Sequence, residues 1–90
     1  MKKIVYPGTF DPITNGHIDL LERASRLFDQ IILAVATSKR KQPLFVIDER
    51  VQLAKDATKH LDNVVVRQLD CLLVNFVRDC SADGVLRGLR

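Results

Sequence analysis

The chain has little of what marks an exported, metal-dependent or membrane-embedded protein. Among its 90 residues there are only two cysteines, Cys71 and Cys80. They lie nine apart in what reads as one helical pattern, which at 100° per residue puts them on opposite faces, unable to pair or share a metal. No Cys/His spacing of the zinc-binding kind occurs, and reduced thiols in a cytoplasmic setting are expected. The longest apolar run is far too short to span a bilayer. The start, Met1-Lys2-Lys3-Ile4-Val5-Tyr6, passes into a strand-like run without a signal segment or cleavage site, so neither export nor a membrane partner is expected. Low-complexity tracts are absent and 28% of residues are charged, which excludes disorder. Aromatics are scarce, one Tyr and four Phe, and the net charge of +3 is mild, with basic residues scattered except at Lys39-Arg40-Lys41. A nucleic-acid surface needs a broader basic face with interleaved aromatics, so no nucleic-acid partner is expected.

What is present reads as a single α/β domain over residues 1–90. A hydrophobic content of 47% supports a modest core. Lys3 to Tyr6 and Gln30 to Thr37 are strand-like, and between them Ile18, Leu21, Ala24, Leu27 and Phe28 recur at helical spacing. The continuous apolar run Ile31-Ile32-Leu33-Ala34-Val35-Ala36 is that of a parallel strand buried on both faces. Val51, Ala54, Ala57 and Leu61 form a second helical stripe, followed by strand-like Asn63 to Arg67. Leu72, Leu73, Phe76, Val77 and Cys80 mark a third, with Asp70 as its expected cap, and Gly84-Val85-Leu86 reads as a last strand. Four strands alternating with three helices predict a Rossmann-like, doubly wound parallel sheet, in which ligands bind beyond the carboxyl ends of the strands.

The most specific stretch is Tyr6-Pro7-Gly8-Thr9-Phe10-Asp11-Pro12-Ile13-Thr14-Asn15-Gly16-His17. A Pro-Gly pair is expected to bend the chain after the first strand, and Pro12 to bend it again, with Asp11 as a turn residue. Thr14 or Asn15 is placed to cap the helix, Gly16 lets a ligand approach the backbone, and His17 falls in the first turn. There the unpaired N–H groups and the positive end of the helix dipole favour an anion. An ordinary strand-to-helix loop would explain a bare Gly-His pair.

The whole ordered string, however, closely resembles the nucleotide-binding loop of the (H/T)xGH nucleotidylyltransferases, here Thr14-Asn15-Gly16-His17. From Tyr6 to Asp19 it resembles the bacterial phosphopantetheine adenylyltransferase family in particular. The resemblance runs from Lys3 to a terminal Arg87-Gly88-Leu89-Arg90. It implies transfer of AMP from ATP to 4'-phosphopantetheine, giving dephospho-coenzyme A and pyrophosphate, with Mg2+ accompanying the nucleotide and a homo-hexameric assembly. His17 is then the catalytic residue that stabilises charge on the α-phosphate. Thr9 orients the attacking phosphate, and Lys41, Leu73 and Arg87 complete the acceptor side. Thr9, Phe10, His17, Gly88, Leu89 and Arg90 are the nucleotide side.

Each of these residues also has a plainer reading. Lys39 to Lys41 can be a solvated loop, Arg87 and Arg90 a surface turn, and Phe10 a core aromatic. His60 reads as balancing the dipole of the second helix, and Asp48-Glu49-Arg50 as structural at its start. Ile47 stands where the family often has a polar cap, leaving Asp48 as the nearer candidate. The resemblance further implies that the family's Ser-rich nucleotide loop would follow beyond Arg90. A non-catalytic module binding phosphopantetheine or a coenzyme A-like ligand is the alternative for these 90 residues.

Overall fold

The computed structural model describes residues 2–36 and 46–86. The elements run β1 (Lys3–Gly8), α1 (Asn15–Leu27), β2 (Gln30–Ala36), α2 (Ile47–Thr58), β3 (Val64–Leu69), α3 (Leu73–Asp79) and β4 (Gly84–Val85). All strand pairs are parallel, in the order β3-β2-β1-β4. The chain therefore winds outward twice from β1, and the order reverses between β1 and β4. In sheets of this kind, that reversal is where neighbouring loops part and leave a crevice.

Two cores form because the sheet buries both faces. Tyr6, Ile31, Leu33 and Val35 pack with Leu21 and Ala24 of α1 and Ala54 of α2. Val5, Ile32, Ala34 and Leu69 face the other way, against Phe76 of α3. Ile31 through Val35 are all buried, as the uninterrupted apolar run predicts. Each such Ile, Leu or Val side chain contributes roughly 1.5–3 kcal/mol relative to exposure.

Several local expectations change. Pro7 and Gly8 do not bend the chain; they extend β1 and pair with Ala34 and Val35. The carbonyls of Lys3 and Val5 accept from Asp83 and Leu86, so odd-numbered residues of β1 face β4. Pro7 also points its missing N–H that way, past the last β1–β4 pair among the described residues, Val5↔Val85. Leu27 is 76% exposed, because α1 turns its last residue away from the sheet, while Phe28 packs on the core. Asp70 does not cap α3, whose N-cap is Leu72 without a side-chain bond. Asp48 does not cap α2 either: that helix starts at Ile47 after Val46, so Asp48 and Glu49 lie inside the first turn, facing the positive dipole end.

Asn63 precedes β3 rather than opening it, and its amide closes the far end of α1, donating to Ser25 O at 2.8 Å and Phe28 O at 3.1 Å. His60 lies beyond α2, and its Nε2 meets Glu22 Oε2 of α1 at 2.9 Å, a lateral tie in place of the expected role on the dipole. Both cysteines are free, though not because they share a helix: Cys71 precedes α3 and Cys80 is its C-cap. Among the described residues no helix is long and apolar enough to cross a membrane.

Candidate functional site at the start of the first helix

The site is built outward from the carboxyl end of β1. Thr9 leaves the strand, and Phe10 follows with a positive φ of 47°, a left-handed conformation that costs a non-glycine residue of order 1–3 kcal/mol. That kink turns the Phe10 ring inward, where it is 3% exposed. It meets Tyr6 edge-on at 5.3 Å between centroids and His17 edge-on at 4.8 Å. Gly8 makes room for it, since a Cβ there would lie 2.9 Å from Phe10 Cζ. Phe10 thus belongs to the core and forms one wall behind His17.

The first turn of α1 is closed by a capping box with an unusual member. Thr14 is the N-cap, its hydroxyl accepting from the His17 backbone N–H, while the His17 ring returns to the Thr14 backbone. The N3 position of such a box is commonly Glu or Gln; here an imidazole takes it. Thr14 N–H donates to His17 Nδ1 at 2.9 Å, so in the neutral ring the proton sits on Nε2. The imidazole is thereby held as an Nε2–H donor at a helix N-terminus. No acidic side chain occupies this turn to compete for the positive end of the dipole. A Cβ on Gly16 would meet only Thr14 Oγ1, at 3.7 Å, so the space in front of the turn is open.

These groups line a cleft of about 870 Å3 that runs from Tyr6 to the first turns of α1. Its walls include Thr9, Phe10, Asp11, Thr14, Gly16 and His17. Asp19 and Arg23, further along α1, also reach it. Sequence reasoning did not single out Arg23. Its only signal is its spacing of four from Asp19 and seven from Gly16, which returns it to their side of the helix. Among the described residues no three His, Cys, Asp or Glu side chains cluster as metal ligands.

A strand end, a glycine-opened helix start and an imidazole donor thus stand together beside the reversal of a parallel sheet. The sequence profile described as cytidylyltransferase-like matches residues 5–90. The chain belongs to the cytidylyltransferase-like family. It is accordingly a nucleotidyltransferase-type domain with a Rossmann-like fold. The chain is also similar in structure to the lipopolysaccharide core biosynthesis protein of Thermoplasma volcanium GSS1, with a TM-score of 0.73 and 23% identity. The match covers 94% of this chain and 72% of that one, and at that identity it bears on the fold alone.

Of the expected site residues, the structure brings Thr9, Phe10 and His17 together. Leu73 lies elsewhere: it opens α3 after β3, an outer strand of this cytidylyltransferase-like sheet, and packs against the cluster of Val5, Ile32 and Phe76 on the opposite face from Phe10. Lys41, Arg87, Gly88, Leu89 and Arg90 lie outside the described residues. Arg50, read as structural at the start of α2, is buried and donates to backbone carbonyls, and nothing in a single sequence separates such an arginine from a solvated one.

Proposed function

We propose that this domain transfers an adenylyl group from ATP to 4'-phosphopantetheine. The observation that carries this reading is the His17 capping box, which holds a hydrogen-bond donor beside an open anion site at the start of α1. Family membership supports nucleotidyl transfer, and the Tyr6 to Asp19 string together with Arg87-Gly88-Leu89-Arg90 supports the specific acceptor.

In this reaction an oxygen of the acceptor phosphate attacks the α-phosphorus of ATP in line. The new P–O bond forms as the bond to the bridging oxygen breaks, and pyrophosphate leaves with those electrons. No protein nucleophile is needed, and catalysis consists of positioning and charge stabilisation. His17 Nε2–H donates to the α-phosphate oxygens, where negative charge builds. The backbone N–H groups of the first α1 turn face the nucleotide phosphates. Thr9 aligns the attacking phosphate. Lys41 and Arg87 hold the acceptor phosphate and offset repulsion between the two polyanions. Phe10 through its backbone and the Gly88-Leu89-Arg90 turn serve the nucleotide. Magnesium enters as part of the Mg-ATP substrate.

Pyrophosphate release tests this, with ATP or CTP offered against 4'-phosphopantetheine. The expected result is release that requires both ATP and the acceptor. Release with CTP alone would reassign the nucleotide. Acceptor binding without release would support a non-catalytic binding module.

A further inference from the structure

A guanidinium in the interior needs a physical reason, and Arg50 has the largest fully buried side chain of the described residues, at 2% exposure. It sits in the first turn of α2 and reaches under the carboxyl edge of the sheet. One of its nitrogens, Nη1, donates to Thr9 O at 2.7 Å and to Ala36 O at 2.8 Å. The β1–β2 register runs from Lys3↔Gln30 to Gly8↔Val35. The next pair in that series is Thr9 and Ala36, the two residues whose carbonyls Arg50 holds. The side chain from α2 takes over where the backbone ladder stops and the strand ends part.

Those two carbonyls are also points of departure. From Thr9 the chain runs through Phe10 to the His17 capping box, and Ala36 is the last described residue before the stretch that contains Lys41. A single buried cation therefore ties the root of the Thr9 to His17 loop to the end of β2. The guanidinium is buried and its two bonds are charge-assisted and part-buried, so their loss would take a strong donor from both carbonyls.

We propose that Arg50 is a positioning residue for group transfer, acting through the Thr9 and Ala36 carbonyls to fix the end of β1 against β2 and so to hold the Thr9 to His17 loop in place. This rests on the proposed reaction, because its consequence is the in-line geometry of two bound phosphates. Arg50 touches no substrate. A displacement near 1 Å at such a root is enough to cost about 10²-fold in rate.

The test uses the full chain with Mg-ATP and 4'-phosphopantetheine, comparing wild type, Arg50→Lys and Arg50→Met. The expected result is a kcat lowered about 10- to 100-fold in Arg50→Met, corrected for the folded fraction, with both KM values changed by only a few-fold. Arg50→Lys, which keeps an N–H donor on a shorter stem, is expected to recover part of the loss. It also carries the test should the Met variant not fold. Amide hydrogen exchange gives a readout that does not need turnover: Phe10 to His17 are expected to exchange at least about tenfold faster in the variants, with α3 unchanged. A folded Arg50→Met with wild-type kcat, or variants in which Phe10 to His17 keep wild-type exchange, would overturn the proposal. A wild type that neither turns over nor binds ATP would instead count against the proposed reaction, and the exchange comparison would still decide the role of Arg50.

Discussion

His17 Nδ1 accepts the backbone N–H of Thr14 at 2.9 Å, so the side chain proposed for catalysis is also the side chain that closes its own helix. The two jobs use different ring nitrogens. Substitutions can therefore separate them.

His17→Gln is expected to keep the capping box, because a glutamine at N3 can accept from the N-cap backbone, and to unfold within about 0.5 kcal/mol of wild type. Its turnover is expected to fall 10²- to 10³-fold, the usual range for losing one donor to a developing oxyanion. His17→Ala is expected to lose the same rate and roughly 1 kcal/mol of stability as well. Urea denaturation and pyrophosphate release, measured on both variants, check this. Near-wild-type turnover in His17→Gln would remove His17 from the chemistry.

Gly8→Ala places a methyl 2.9 Å from Phe10 Cζ and 3.0 Å from Phe10 Cε2. The Phe10 ring has little room to retreat, being packed against Tyr6 on one side and His17 on the other. The expected cost is about 1–3 kcal/mol, the range for overpacking. Adding Phe10→Leu is expected to restore part of it, a coupling visible in a double-mutant cycle. Strict additivity of the two substitutions would mean that the clash is relieved elsewhere.

Burial raises the Tyr6 phenol above its ordinary value of 10.0. The folded chain then holds that proton more tightly than the unfolded chain, which deprotonates first as pH rises. The stabilising contribution is complete below pH 10.0 and is lost as pH climbs through the raised folded-state value. Denaturation midpoints are expected to drop more steeply above that pH in wild type than in Tyr6→Phe. Parallel alkaline profiles for the two proteins would contradict this.

Asn63 donates two hydrogen bonds to carbonyls at the end of α1. Asn63→Ala is expected to cost about 1–2 kcal/mol. Asn63→Asp is expected to cost more, since a carboxylate there faces carbonyl oxygens and the negative end of the helix dipole. Thermal melts at neutral pH order the three proteins, and an aspartate variant as stable as wild type would refute the assignment.

Local pattern was enough to read the alternation of strands and helices, the doubly buried β2, and the Thr14 to His17 segment as a capped helix start. Each depends on periodicity or on residue types within a few positions of one another. Where neighbouring signals competed, that reading failed: Pro7-Gly8 has turn chemistry, yet β2 recruits both residues into the ladder. Asp70 and Asp48 are good capping types, but packing of Leu73 and Ile47 against the sheet decides where α3 and α2 begin.

By itself, then, the sequence determined the fold class, the nucleotidyltransferase type of the domain and the place of His17 in the first helical turn, because hydrophobic period and loop chemistry are short-range properties of the chain. Only the tertiary structure decided that Phe10 stands behind His17 as a core wall, that Leu73 packs on the opposite face, and that Arg50 bridges Thr9 and Ala36. The Arg50–Thr9 contact joins residues 41 positions apart, and such relations arise from the order in which the strands assemble, which no local pattern encodes.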